Sequence, residues 1–239
     1  MTSPLRSPIP VTRAELVSER PNGVSEDVHF PESIARVVIA GFSREGDLVL
    51  DPFAGFGTTA VVAASMGRRA VAVELLEDRA AIIRRRIGSR DGASVVVGDA
   101  RQLSRLVAGP VDLCLTSPPY MGKVDHPENP LTGYRTRDGD YPTYLGELED
   151  VFRQVAVLLR PGGHLIVNAA DVVHEGGVTP LADDLRVRIG RHLAFREEIA
   201  ISWDVPPPSV ENDRLLVFAR DGPSALSTHP MTSHTKLAR

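Results

Sequence analysis

Apolar residues recur along this chain with two periods, and the switches between them mark its elements. Pro31-Glu32 open a run with Ile34, Val37, Val38 and Gly41 on one side, which predicts a helix, and Leu48-Val49-Leu50 follows as a short buried strand. The turn DPFAGFGTT at 51–59 leads into a small apolar helix from Ala60 to Met66, then a strand at Ala70-Val71-Ala72-Val73 that ends at Glu74. A helix over 77–87, a strand over 94–97 with Asp99 just past it, and a strand over 111–115 running into TSPPY at 116–120 come next. Leu145, Leu148, Phe152, Val155 and Leu159 form one helical face, ended by Pro161-Gly162-Gly163 before a strand from His164 to Val167. Thr179-Pro180 caps a helix carrying Leu181, Leu185 and Ile189; Ile199, Ile201 and Trp203 alternate as a strand, and Leu215 to Phe218 supply a seventh. Strands alternating with helices predict an α/β fold whose mainly parallel sheet is covered on both faces, with ligands outside the carboxyl ends of the strands.

Residues 1–25 and 221–239 show no clear period and read as a flexible N-terminal arm and a flexible C-terminal tail around one domain at 26–220. Residues 121–143 hold three glycines, three prolines and many charges, which predicts a long loop facing the substrate. A length of 239 residues, 42% of them hydrophobic, suits a single sizeable core. No run approaches the roughly 18 apolar residues of a membrane span, and Cys114 is the single cysteine, so a cytoplasmic setting without disulfides fits. His29, His126, His164, His174 and His192 lack metal-ligand spacing, and no metal site is expected. Arg84-Arg85-Arg86 reads as a solvated helix face. A net charge of −4 gives no global basic field, so any nucleic-acid contact must be local.

The loop after the first strand offers Gly55, Gly57, Thr58 and Thr59 but no lysine, which argues against a phosphate-binding loop. It allows close backbone approach, presents a helix N-terminus, and sets Asp51 at the strand end, a combination that suits a zwitterionic amino acid. Glu74 stands 19 residues after Gly55, near the spacing of an acid that grips ribose hydroxyls, and Asp99 can accept from an adenine amino group. Strand-end carboxylates also commonly cap the next helix; the three together describe S-adenosylmethionine.

In TSPPY the prolines fix the backbone without offering amide donors, so Ser117 and the carbonyl of Pro118 can accept from the two hydrogens of an exocyclic amine. Such an amine is a poor nucleophile until its lone pair is drawn out of the ring. Tyr120 supplies a flat face against which a flipped base can be held.

DPFAGFGTT and TSPPY together resemble the glycine loop and catalytic loop of amino-group DNA methyltransferases, which make N4-methylcytosine or N6-methyladenine. HFPE at 29–32, VELLEDRA, VVVGDAR and the pair EEIAISWDVPPP and NDRLLVFAR extend the resemblance from about His29 to Arg220. It implies a seven-stranded class I S-adenosylmethionine-dependent methyltransferase fold, Rossmann-like, with the last strand antiparallel. It further implies that Phe30, Asp51, Phe53, Gly55, Gly57, Thr58, Thr59, Glu74, Asp99 and Ala100 bind the cofactor, while Ser117, Pro118, Pro119 and Tyr120 act on the acceptor. Serine where many adenine enzymes have aspartate leans toward cytosine N4.

Family members usually carry a separate target-recognition region, and none of domain size is visible, which leaves room for a partner subunit or homodimer. Lys123, Tyr134, Arg135 and Arg137 in the long loop are the candidates for DNA contact. RNA amines, protein glutamine and a non-catalytic cofactor-binding regulator remain as alternatives. Ser117 disfavours the first two and the intact TSPPY the third.

Overall fold

In the computed structural model, residues 4–22, 24, 30–119, 141–174, 177–208 and 210–222 are described. The elements run β1 (Ile9–Val11), α1 (Arg13–Ser18), α2 (Glu32–Phe42), β2 (Leu48–Asp51), α3 (Thr58–Ser65), β3 (Arg69–Glu74), α4 (Glu77–Ile87) and β4 (Ala93–Val97). A 3₁₀ turn at Ala100–Gln102 leads to α5 (Leu103–Leu106), β5 (Val111–Thr116), α6 (Tyr141–Leu158), β6 (Leu159–His174), β7 (Gly177–Thr179), α7 (Leu181–Ile189), β8 (Ala194–Trp203) and β9 (Val210–Ala219).

These strands form one sheet in the order β1-β8-β9-β6-β5-β2-β3-β4, with β7 added beside β6. Pairing is parallel from β6 through β5, β2, β3 and β4, while β9 runs antiparallel between β6 and β8. The seven strands read from the periodicity are all present and the last is antiparallel as implied. The described sheet nevertheless has nine strands, because β1 and β7 were not legible. The chain order reverses direction across the sheet between β2 and β5, and the site gathers at that switch.

Two apolar layers hold the helices to the sheet. One packs α2, α3 and α4 through Ile34, Val38, Val62 and Ile83 against Val49, Leu113, Leu115 and Ile166. The other packs α6 and α7 through Leu148, Phe152, Val155 and Leu185 against Leu50, Cys114, Val167 and Phe218. The α6 face follows the predicted pattern, although the helix starts at Tyr141, inside the stretch read as loop. In α2 the buried set is Ile34, Ala35, Val38 and Ile39, so Val37, expected on that face, lies on the outer side.

The arm read as flexible is instead part of the fold. Ile9, Pro10 and Val11 pair with Ile201, Ser202 and Trp203, burying Ile9 and Val11, and Leu16 of α1 is buried as well. Thr12 caps α1 by accepting from the Glu15 amide (3.1 Å), and Asp204 accepts from the Arg13 amide (2.7 Å). Glu19 Oε2 accepts from the Glu32 amide at 2.7 Å, so the arm also caps α2, whose N-cap, Pro31, has no side-chain donor or acceptor to do so. Each buried aliphatic side chain here contributes about 1.5–3 kcal/mol. The C-terminal tail beyond 222 lies outside the described residues.

Candidate active site

β2 ends on Asp51, and the chain turns through Ala54 to Gly57 before α3. Gly57 has φ +84°, and a Cβ there would lie 2.6 Å from Ile83 Cγ2, so α4 leaves room only for glycine. Gly57 is also the N-cap of α3 and carries no capping side chain, leaving the first amides of that helix open for an anionic group. Thr58 Oγ1 is buried with no hydrogen-bond partner, while Thr59 donates to the Leu115 carbonyl at 3.3 Å.

Asp51 is 3% exposed. Its Oδ1 accepts from Thr116 Oγ1 at 2.7 Å and from the Phe53 amide at 3.1 Å, both neutral donors. Burial pushes its pKa up to about 6, with the Thr116 hydroxyl pulling the other way. A buried carboxylate served by neutral donors, an orphaned threonine hydroxyl and an open helix N-terminus together fit the ammonium and carboxylate of an amino-acid ligand.

Glu74 serves the loop directly. Its Oε2 accepts from the Gly55 amide at 2.8 Å and its Oε1 from the Leu76 amide at 3.1 Å. Burial raises its pKa, opposed first by the Leu76 bond. Glu74 thus ties the glycine loop to the residue before α4, and each oxygen keeps a lone pair free to accept a further hydrogen bond.

Asp99 is held by a neighbouring arginine. It caps the 3₁₀ turn through the Arg101 amide (2.9 Å) and is gripped by the Arg101 guanidinium at 2.6 Å, which also reaches Glu147 at 2.9 Å. Its carboxylate is thus oriented by an arginine. Ala100 is buried at the start of the turn, Phe30 is buried just before α2, and Phe53 meets Phe152 edge-on at 6.4 Å.

The TSPPY segment is tied to the loop by Thr116, whose bond to Asp51 joins the ends of β5 and β2. Tyr144 of α6, fully buried, donates to the Pro119 carbonyl at 2.8 Å, which leaves the Pro118 carbonyl unengaged among the described residues. Tyr120, Lys123, Tyr134, Arg135 and Arg137 lie outside the described residues.

Sequence reasoning missed three supports. Thr116 was visible as the first letter of its motif but had no assigned role. Tyr144 lies 25 residues from the carbonyl it holds, too far for any local pattern. Arg86, read as solvated, donates to the Phe56 carbonyl (2.6 Å) and pairs with Glu32 (3.0 Å) at 18% side-chain exposure, so it clamps the glycine loop to the start of α2. Arg84 does lie on the solvated face, paired with Glu77. Arg86→Ala is expected to cost about 2 kcal/mol of stability and to speed hydrogen exchange at the loop amides, with lysine restoring only part because it lacks the fork. Unaltered exchange at Gly57 in that variant would show that the clamp is dispensable.

Residues 17–85 match the DNA methylase family. The chain is 45% identical over 58 residues to the type II methyltransferase M.SmaI of Serratia marcescens, a stretch covering 24% of this chain and 20% of that protein. It is 36% identical over 130 residues to a 4-amino-L-phenylalanine/4-methylamino-L-phenylalanine methyltransferase of Streptomyces pristinaespiralis, covering 50% of this chain and 42% of that one. The matches thus span less than half the length of these relatives. A magnesium protoporphyrin IX methyltransferase of Synechocystis PCC 6803, solved with bound SAM, superposes with a TM-score of 0.54 at 15% identity, over 80% of this chain and 77% of that one. No helix among the described residues is long and apolar enough to cross a membrane. The chain therefore has the class I S-adenosylmethionine-dependent methyltransferase fold, and its residues 17–85, which carry the glycine loop, are similar to the DNA methylase family.

Proposed function

We propose that this protein methylates an exocyclic amino group using S-adenosylmethionine, with N4 of cytosine in DNA as the foremost acceptor. The observation that carries the reading is the 2.7 Å bond from Thr116 to Asp51, which holds the start of SPPY against the strand that ends at the glycine loop. Asp51 would receive the cofactor's ammonium, the α3 amides and Thr58 its carboxylate, and Glu74 its ribose. When bound, the cofactor supplies an electrophilic methyl group on a positive sulfur.

The chain's own part is to make the amine nucleophilic. Ser117 and the Pro118 carbonyl would accept from its two hydrogens, drawing the lone pair out of conjugation, and proline rigidity keeps both acceptors fixed as the nitrogen becomes tetrahedral. Tyr120 would hold the extruded base, while Lys123, Arg135 and Arg137, in the segment before α6, would contact phosphate and Tyr134 would offer a stacking face. The DNA methylase match and the M.SmaI relative support a DNA acceptor.

A second reading is favoured by the 130-residue alignment: a free aromatic amine as acceptor, since an aniline nitrogen shares the conjugated lone pair of a base amine. Incubation with labelled cofactor and, separately, duplex DNA, RNA, protein and 4-amino-L-phenylalanine, followed by mass analysis, tests both. Label in N4-methylcytosine is expected. Label in N6-methyladenine would move the base, label in the amino acid alone would establish the second reading, and label in RNA or protein alone would overturn both.

A further inference from the structure

We infer that Asn168 is a positioning residue whose Oδ1 accepts a hydrogen bond from the Ser117 hydroxyl, leaving the serine's lone pairs for the acceptor amine. This rests on the amino-transfer reading above and adds a residue to it. Val167 of β6 pairs in register with Thr116 of β5, so Asn168 and Ser117 are the next residues along neighbouring parallel strands. Such strands lie about 4.8 Å apart, within reach of one short side chain for the other. Asn168 is 5% exposed, at the carboxyl end of the sheet, and follows the alternation of Ile166, whose side chain faces α2 and α3.

Its amide is fixed by a partly buried chain of hydrogen bonds. Nδ2 donates to Asp213 Oδ1 at 2.7 Å, and the other oxygen of Asp213 accepts from Trp203 Nε1 at 2.8 Å. A second, longer contact runs from Nδ2 to the Arg214 carbonyl at 3.5 Å. Turning the amide over would set its oxygen against a carboxylate, so the orientation is determined and Oδ1 is the end left over. Neither Oδ1 nor Ser117 Oγ has a hydrogen-bond partner among the described residues, each other included, so a turn of the serine side chain about χ1 is what brings its hydroxyl onto Oδ1.

The chemistry needs such an acceptor. A carboxylate beside the two prolines would have only lone pairs to offer, but a serine hydroxyl is a donor as well, and a hydrogen aimed at the amine would oppose the reaction. A neutral carbonyl oxygen beside it takes that hydrogen and polarises the hydroxyl without adding charge. Asn168 thereby gives Ser117 the acceptor character that an acid would have unaided.

The test is a set of single and double variants of the full chain. Asn168→Ala is expected to lower kcat about 10–100-fold while KM for cofactor and acceptor stay within about twofold. In a Ser117→Asp background the same change is expected to cost no more than about twofold, because the carboxylate has no proton to place. An equal loss in both backgrounds, or full activity of Asn168→Ala, would overturn the inference.

A crystal structure of the full chain with S-adenosylhomocysteine decides without any turnover. It should show Ser117 Oγ about 2.7 Å from Asn168 Oδ1, and a separation beyond about 4 Å would refute the pairing. If wild type methylates no amine, the reaction reading fails on its own, while this distance still settles the role of Asn168. It also decides if Ser117→Asp proves inactive.

Discussion

Asp51→Asn is expected to raise the melting temperature of the cofactor-free protein while weakening its affinity for S-adenosylmethionine about 100-fold. The two effects have one cause. Asp51 is buried, meets only neutral donors, and has its pKa pushed up to about 6, above the roughly 3.9 of an unfolded aspartate. A carboxyl group raised in this way favours folding below pH about 4, and that contribution is lost as pH rises through about 6. At neutral pH the folded protein therefore holds a destabilised charge. Asparagine removes it but weakens the bond from Thr116, for a net gain on the order of 1–2 kcal/mol, or a few degrees.

Cofactor binding reverses the balance, because a ligand ammonium beside the carboxylate favours its charged form. Wild-type affinity should fall as pH drops through about 6, and the asparagine variant should lack that dependence. Calorimetric titrations from pH 5 to 8, paired with thermal melts of the free protein, give both quantities. Equal cofactor affinity in wild type and variant would remove Asp51 from the cofactor site.

Ser117→Ala should reduce methyl transfer about 100–1000-fold with cofactor affinity unchanged within about twofold. Its hydroxyl stands one residue past Thr116, which already takes the contact with Asp51, so its loss leaves the cofactor strand intact. Tyr144 still holds the Pro119 carbonyl in the variant, and the loop keeps its path. Tyr120→Ala is expected to behave alike, with most of its loss in acceptor KM because a stacking face binds before it catalyses. Single-turnover rates with calorimetry separate these outcomes. Loss of cofactor binding in folded Ser117→Ala would dissolve the division between the two halves of the site.

The sequence alone was enough to determine the core elements, because each is built on a local rhythm. Continuous apolar runs such as 111–115 and four-residue spacings such as Leu181, Leu185 and Ile189 record burial directly, and the structure returns them within a few residues. The glycine loop was legible for a similar reason: glycine at Gly57 is demanded by backbone geometry at a single position, which leaves a mark in the sequence.

What only the tertiary structure decided is how distant residues share work. Ile9 and Val11 are too few to show a period, and they form a strand only because β8, some 190 residues later, offers an open edge. Arg86 became a loop clamp, and Asp99 an arginine partner, because side-chain charge is satisfied by whatever the fold brings near, here Phe56, Glu32 and Arg101. Asn168, Asp213 and Trp203 lie on three different strands, and pairing in the sheet is what joins them into one chain of hydrogen bonds. Periodicity encodes which face of an element is buried; it carries no record of which partner a buried polar group will meet, since that depends on the order and register in which the strands assemble.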